Sequence, residues 1–276
     1  MSIDHVLKLY SKTIQSDYLH YGFWDNPNTI DIESITLQEI KNAQGRYIEH
    51  LESFIPKGVK FLLDVGCGIG GNTEYLINQG YKVETLSPDD YQKSVISRKF
   101  NNKIRFHHCK FENFKHEDQY DLILESESAC YINIDKGFQK ARDVLRDKGY
   151  LLVSDYFVYY RDDSNNLHLK SSHDMSKYLL SAESNGFNLI KEYDQTENTM
   201  PTLDFGKYFI ERFITPAFNY GIYSAKKNYP IIFSLMKKLL IAKLKPKKNQ
   251  LDLLDRNLFC KYRKYMIYLF QKQNTE

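Results

Sequence analysis

A doubly wound α/β fold is what this 276-residue sequence predicts, and three observations carry the prediction. Five apolar runs alternate with helical patterns between residues 59 and 157, the rhythm of parallel strands joined by helical crossovers. The stretch at 61–76, FLLDVGCGIGGNTEYL, passes from a buried strand through glycines into a helix. Turn residues sit where elements must end: Pro56-Lys57-Gly58, Asn78-Gln79-Gly80 and Asp147-Lys148-Gly149.

Taken in order, Ile3, Val6, Leu7, Tyr10 and Ile14 have helical spacing. The aromatic, turn-rich DYLHYGFWDNPN that follows reads as an ordered flap packed by Trp24. A second amphipathic helix is expected over 32–54, capped by Asp31 and stopped before Pro56. Strands are expected at 59–63, 81–86, 104–108, 120–125 and 150–157, with helices after the glycine loop, at 92–100 and at 138–146. Beyond them a helix at 172–185 closes on Gly186, a strand follows at 188–193, and a last strand at 264–271 brings the sheet to seven. The segment between those two strands, 198–260, is helical, rich in Tyr, Phe and Lys, and longer than an ordinary connection, so it reads as an inserted cap. The expected division is 1–55 for the N-terminal helices and lid, 56–197 with 261–276 for the sheet domain, and 198–260 for the cap.

Composition narrows the function classes. A hydrophobic content of 42% supplies a sizeable core, and a net charge of +3 names no partner. The basic residues are uneven, with Lys237, Lys238, Lys243, Lys245, Lys247 and Lys248 in one short segment. No aromatic interleaving or known module accompanies them, so a nucleic-acid partner is not expected. The stretch 229–244 pairs a broad apolar face with lysines. It is expected to pack inward with a basic outer rim, the rival being peripheral membrane contact through the 229–248 helix. Four scattered cysteines with no CxxC pair argue against both a disulfide framework and zinc. The histidines at 107, 108, 168 and 173 have no metal-ligand spacing, so no metal is expected. A cytoplasmic location is expected, because the start lacks a signal-type apolar core and no run approaches the ~20 residues of a membrane span.

The chemistry centres on the glycines at 66, 68, 70 and 71. A strand–turn–helix junction of this kind frees backbone N–H groups and a helix N-terminus for a carboxylate or phosphate. Gly66-x-Gly68-x-x-Gly71 formally satisfies the dinucleotide fingerprint, and Glu84 lies near where a ribose-binding acid is expected. Asp64, two residues before the first glycine, points elsewhere: an acid there suits a ligand carrying an ammonium beside its carboxylate.

DxGxGxG with that acid resembles motif I of the class I S-adenosylmethionine-dependent methyltransferases. The resemblance runs through most of 18–206 and is nearest to geranyl diphosphate C-methyltransferases, tocopherol methyltransferases and, more distantly, cyclopropane fatty acid synthases. It implies a Rossmann-like sheet and S-adenosyl-L-methionine as cofactor. Asp64, Gly66, Cys67, Gly68 and Gly70 would hold the methionine end, with His20 and Tyr21 of His20-Tyr21-Gly22 closing over it. KVETLSPDDYQ resembles the family's KVEGVTLSxxQ, which puts Ser87, Pro88 and Gln92 at the ribose; a two-residue gap would instead align Thr85-Leu86-Ser87. Lys110 and Phe111 fall at the adenine edge, with Lys110 where many relatives carry an acid. Glu127-Ser128-Ala129-Cys130-Tyr131 resembles the ESxxY segment, which implies Glu127 as base or cation stabiliser and Tyr131 as its partner. Strand alternation would place Glu125 beside Glu127, so Glu125 also counts among the cofactor-lining candidates. Thr196 to Pro201 resembles the TxDTLP stretch before the substrate cap of the terpenoid enzymes.

The implied reaction is methyl transfer to a small, apolar acceptor of terpenoid, quinol or lipid-like character, with O- or N-methylation of a polar natural product or amine as the alternative. Two readings from other classes stay open: an NAD-dependent oxidoreductase, resting on the fingerprint and Glu84, and a non-catalytic cofactor-binding module docked through its basic cap.

Overall fold

The computed structural model describes residues 13–115, 119–164, 166–169, 172–236 and 252–274. Seven strands form one sheet in the order β3-β2-β1-β4-β5-β7-β6. They are β1 (Phe61–Val65), β2 (Lys82–Leu86), β3 (Phe106–His107), β4 (Tyr120–Ser126), β5 (Leu145–Val158), β6 (Phe187–Asp194) and β7 (Arg263–Lys272). The first five pair in parallel, and β7 runs antiparallel to both β5 and β6. The predicted doubly wound, seven-stranded, mostly parallel sheet is the observed one, with β7 its antiparallel member; strand order reverses beside β1, which opens a crevice beyond the carboxyl ends of β1, β2 and β4.

The apolar runs become strands because both faces of the sheet are covered. In β1, Leu63 and Val65 join a layer containing Ile123, Phe138, Leu151, Phe157 and Tyr178. Leu62 faces the opposite layer with Leu122, Leu124, Leu152, Tyr47 and Ile267. Each such side chain, fully buried, contributes on the order of 1.5–3 kcal/mol. The helices that supply these layers are α1 (Leu37–Glu52), α2 (Gly71–Asn78), α3 (Asp90–Lys99), α4 (Ile134–Val144) and α5 (Met175–Ser184).

Several boundaries differ from the sequence reading for local reasons. The second helix begins at Leu37, not 32, because Thr36 and Glu39 form a reciprocal capping box, while Asp31 caps only a short 3-10 turn. Asp147-Lys148-Gly149 is not a turn outside the sheet but a register shift inside β5, where Lys148 takes φ +58. The third strand shrinks to two residues. The expected N-terminal helix over 3–14 lies almost wholly outside the described residues.

The flap at 17–28 is clamped between α1 and the first cap helix, α6 (Thr196–Phe209). Gly22 is required there, since a Cβ would sit 2.5 Å from that of Ala43. Thr202 Oγ1 accepts both the Gly22 N–H and the Trp24 indole N–H, at 3.0 and 2.9 Å. Trp24 is buried with Ile14, Ile40, Ala43 and Phe205. The cap continues through a π-helical turn (Ile210–Ile214) into α7 (Thr215–Asn228) and α8 (Pro230–Met236), and returns to the sheet through α9 (Arg256–Tyr262). The expected inward packing of the 229–244 stretch is not what its described part shows. Tyr229, Ile231 and Ile232 are exposed, Tyr229 leaving helical geometry where Pro230 starts a new helix. The lysines at 237–248 lie outside the described residues. Among the described residues no helix is long and apolar enough to cross a membrane.

Candidate active site

The carboxyl ends of β1, β2 and β4, together with the flap, enclose a cavity of about 570 Å³, within the roughly 300–1,000 Å³ typical of small-molecule sites. The glycine loop forms its floor. Gly66 has φ +74, and a Cβ there would lie 2.4 Å from that of Ser128, so only glycine lets the β1 and β4 loops meet. Ser128 Oγ then donates to the Val65 carbonyl at 2.6 Å and stitches the two loops together. Cys67 and Gly68 continue the floor, and Gly71 presents the N-terminus of α2.

The wall from β2 carries Ser87, Pro88, Asp89 and Gln92. Asp89 caps α3 by accepting the Gln92 N–H at 2.7 Å. Gln92 Oε1 is buried without a hydrogen-bond partner among the described residues. An orphaned acceptor on a cavity wall suits a ligand hydroxyl, since a buried polar atom left unmatched costs roughly 1–3 kcal/mol. Lys110, Phe111 and Glu112 close one end, and Tyr131 stands at the rim, 83% exposed.

The roof is the flap. His20 lines the cavity while its Nε2 meets the Asn72 side-chain amide and its Nδ1 the Tyr21 carbonyl, both at 2.8 Å. Its ring stacks on Tyr47 at 4.0 Å. Burial pushes the imidazole down to about 4, so it is neutral at pH 7.

Glu127 occupies the centre. It follows the last residue of β4, lines the cavity and has φ +51, a left-handed backbone that a glutamate adopts only when its surroundings impose it. Three contacts impose it. The Glu127 N–H donates to the Ser154 carbonyl at 2.8 Å, and Oε1 accepts the Tyr21 N–H at 2.7 Å and the Tyr265 hydroxyl at 2.6 Å. Behind Tyr265 the chain of hydroxyls continues through Tyr47 to Ser126 and Ser154. Burial lifts the Glu127 carboxyl to about 7, while the Tyr265 and Tyr21 bonds pull it back toward ionisation.

Four expected site residues do not form the cavity wall. Asp64 lies beneath the loop, its carboxylate accepting the Thr73 hydroxyl at 2.6 Å, and burial raises it to about 6. Gly70 faces α3, where a Cβ would strike Ile96 and Phe100. Tyr21 contributes its backbone N–H to Glu127 rather than a side chain to the cavity. Glu125 points through the other face of the sheet, among Phe138, Leu151 and Tyr178, where burial and then Asp155 raise it to about 8. The alternation that would have paired it with Glu127 fails because the strand ends at Ser126 and Glu127 turns left-handed. The cap aromatics likewise supply none of the lining residues. Glu84, which a dinucleotide would need at its ribose, accepts from His107 and Tyr120, each at 2.7 Å, and is not in the wall.

Tyr265, Tyr47 and Asn72 were not singled out by sequence. Tyr265 lies within the predicted last strand, but only the sheet order brings it beside Glu127. No group of three metal-ligating side chains occurs among the described residues.

Residues 63–153 match the family described as "Methyltransferase domain". A tocopherol O-methyltransferase of Arabidopsis thaliana, named as chloroplastic, is 29% identical over 130 residues, covering 42% of this chain and 36% of its own length. A probable tocopherol O-methyltransferase of Oryza sativa subsp. japonica is 30% identical over 131 residues, covering 42% of this chain and 34% of its own. The matched stretch thus spans about a third of those relatives. Among solved structures, the geranyl diphosphate C-methyltransferase of Streptomyces coelicolor A3(2), in complex with Mg2+, geranyl diphosphate and S-adenosyl-L-homocysteine, superposes with a TM-score of 0.68 at 14% identity, covering 95% of this chain and 92% of that one. The [4+2]-cyclase SpnF superposes with a TM-score of 0.67 at 15% identity, covering 98% and 96%.

Proposed function

We propose that this chain, built around a methyltransferase domain at 63–153 of the class that uses S-adenosylmethionine, moves a methyl group to a small, largely apolar acceptor, with Glu127 as the residue beside the reacting centre. When bound, S-adenosylmethionine supplies a methyl group on a positively charged sulfur.

The protein's part is to bind, orient and exclude water. Gly66 and Gly68 let a ligand approach the backbone, and the α2 N-terminus at Gly71 favours its carboxylate. Gln92 Oε1 and the Ser87 hydroxyl are the acceptors on the β2 wall for ribose hydroxyls, and Lys110 and Phe111 border the adenine end. Asp64 acts indirectly, fixing α2 to β1 through Thr73.

The observation that carries the reading is the clasp on Glu127. Two donors converge on Oε1, which leaves Oε2 outside the clasp and on a carboxylate held near neutrality. Such a group is matched to accepting a proton at physiological pH, and when ionised it opposes positive charge in the cavity. The fold alone does not carry the proposal, because a [4+2]-cyclase shares it. The relatives' names, tocopherol and geranyl diphosphate methyltransferases, support an apolar acceptor. An O- or N-methyltransferase of a polar molecule is the second reading, favoured by the exposed phenol of Tyr131 at the rim.

Equilibrium titration with S-adenosylhomocysteine and with NADH tests the cofactor, and an acceptor panel of prenyl diphosphates, quinols and amines with Glu127→Gln tests the role. Turnover on an apolar member, lost in Glu127→Gln with cofactor affinity retained, supports the proposal. Turnover confined to amines and indifferent to Glu127→Gln would sink it.

A further inference from the structure

Residues 212–251 hold nine of the chain's 38 lysines and arginines and none of its 35 acids, and Arg212, Lys226 and Lys227 are those in the described part. Within the described part of that stretch, nothing from 211 to 234 is buried. The whole of α7 lacks a buried residue, although the helix before it buries Met200, Leu203 and Phe205. Yet this unburied segment is not polar. Ile214, Tyr220, Tyr223, Tyr229, Ile231 and Ile232 are all exposed, Tyr220 at 71% and Ile231 at 78%. Tyr220 and Tyr223, three residues apart, share a face of α7, and Lys226 and Lys227 follow in its last turn.

An apolar surface of this size left in water marks a surface that meets something else. Charge selects a polyanion, and the aliphatic groups select which one. Exposed isoleucines gain nothing from the phosphate rails of a nucleic acid but gain from entering hydrocarbon, while tyrosines prefer the headgroup level and lysines reach back toward anionic phosphates. Among the described residues no helix is long and apolar enough to cross a membrane, so a segment that meets a bilayer does so by lying on its surface. We infer that the π-turn, α7 and α8 form a docking surface for an anionic lipid bilayer. The inference does not depend on methyl transfer.

Flotation of the full chain with vesicles of equal parts phosphatidylcholine and phosphatidylglycerol tests it, with pure phosphatidylcholine as the control. The protein floats with the mixed vesicles and not with the control, and added salt weakens the association. Lys226→Gln with Lys227→Gln lowers the partition coefficient roughly fivefold per lysine removed. Ile231→Ser with Ile232→Ser lowers it further at high salt, where the charge contribution is screened. The far-UV circular dichroism spectrum and the thermal midpoint, unchanged in both variants, report an intact fold. The inference is overturned by equal binding of wild type and both variants, by no flotation at all, or by competition from an oligonucleotide that removes all vesicle binding. Concentration-dependent self-association that Ile231→Ser abolishes, without vesicle binding, would assign the face to a second copy of the chain.

Discussion

Tyr265 donates its phenolic hydrogen to Glu127 Oε1 at 2.6 Å across 138 residues of sequence, joining the last strand of the sheet to the loop after the fourth. This bond lowers the Glu127 carboxyl against the burial that raises it. Removing the hydroxyl in Tyr265→Phe leaves only the Tyr21 N–H to oppose burial. The carboxyl moves above its present value of about 7, and loss of a charge-assisted bond costs roughly 1.5–3 kcal/mol of stability. In the pH–rate profile the acidic limb shifts to higher pH while the affinity for S-adenosylhomocysteine is retained; an unshifted limb would separate Tyr265 from the titration of Glu127.

The left-handed backbone at Glu127 gives a second prediction. Glu127→Ala keeps the unfavourable φ of +51 and loses both donors, whereas Glu127→Gly loses the same donors but relieves the strain. The glycine variant should therefore be the more stable of the two by about 1 kcal/mol, measured by urea denaturation, with both inactive.

Gly66→Ala tests the meeting of the two loops. Its Cβ has no room beside Ser128, and φ +74 adds strain. A loss of roughly 3 kcal/mol or more is expected, together with loss of cofactor binding. The companion substitution Gly58→Ala also sits at positive φ but meets nothing within 4 Å, so it should cost only the backbone strain of roughly 1–2 kcal/mol.

Much of the fold was legible because its signals are local. Buried strands, the glycine junction and the helix-closing Gly186 are each encoded within a few residues. The glycine loop and the segment after β4 identify themselves in the same way. What escaped depends on distant pairing. Tyr265 is one aromatic in an alternating strand, and its meeting with Glu127 exists only because β7 inserts antiparallel beside β5. Glu125 was misplaced because alternation holds only while the strand lasts, and the strand ends one residue before Glu127. Asp64 belongs to the glycine junction by its place in the sequence, but whether a strand-end acid faces ligand or helix depends on the Thr73 hydroxyl arriving from α2.

Glu125 predicts a pH dependence of stability. Burial raises its carboxyl from 4.5 to about 8, so the folded chain keeps a proton that the unfolded chain has lost. Stability is greatest below the unfolded value and falls as pH climbs from 4.5 toward about 8. Thermal melts of wild type should therefore decline across that window, and Glu125→Gln should decline less steeply, matching or exceeding wild type at its upper end. A parallel decline in both would assign the effect to other groups, such as Asp155, which burial raises to about 6.

The central claim, an S-adenosylmethionine site built on the glycine loop, is tested most directly by calorimetric titration of S-adenosylhomocysteine into wild type and Gln92→Ala, with NADH in parallel. The orphaned Gln92 oxygen predicts an affinity reduced roughly tenfold in Gln92→Ala, and Glu84, held by His107 and Tyr120 away from the cavity, predicts no heat from NADH. Saturable NADH binding with no response to S-adenosylhomocysteine would contradict the account.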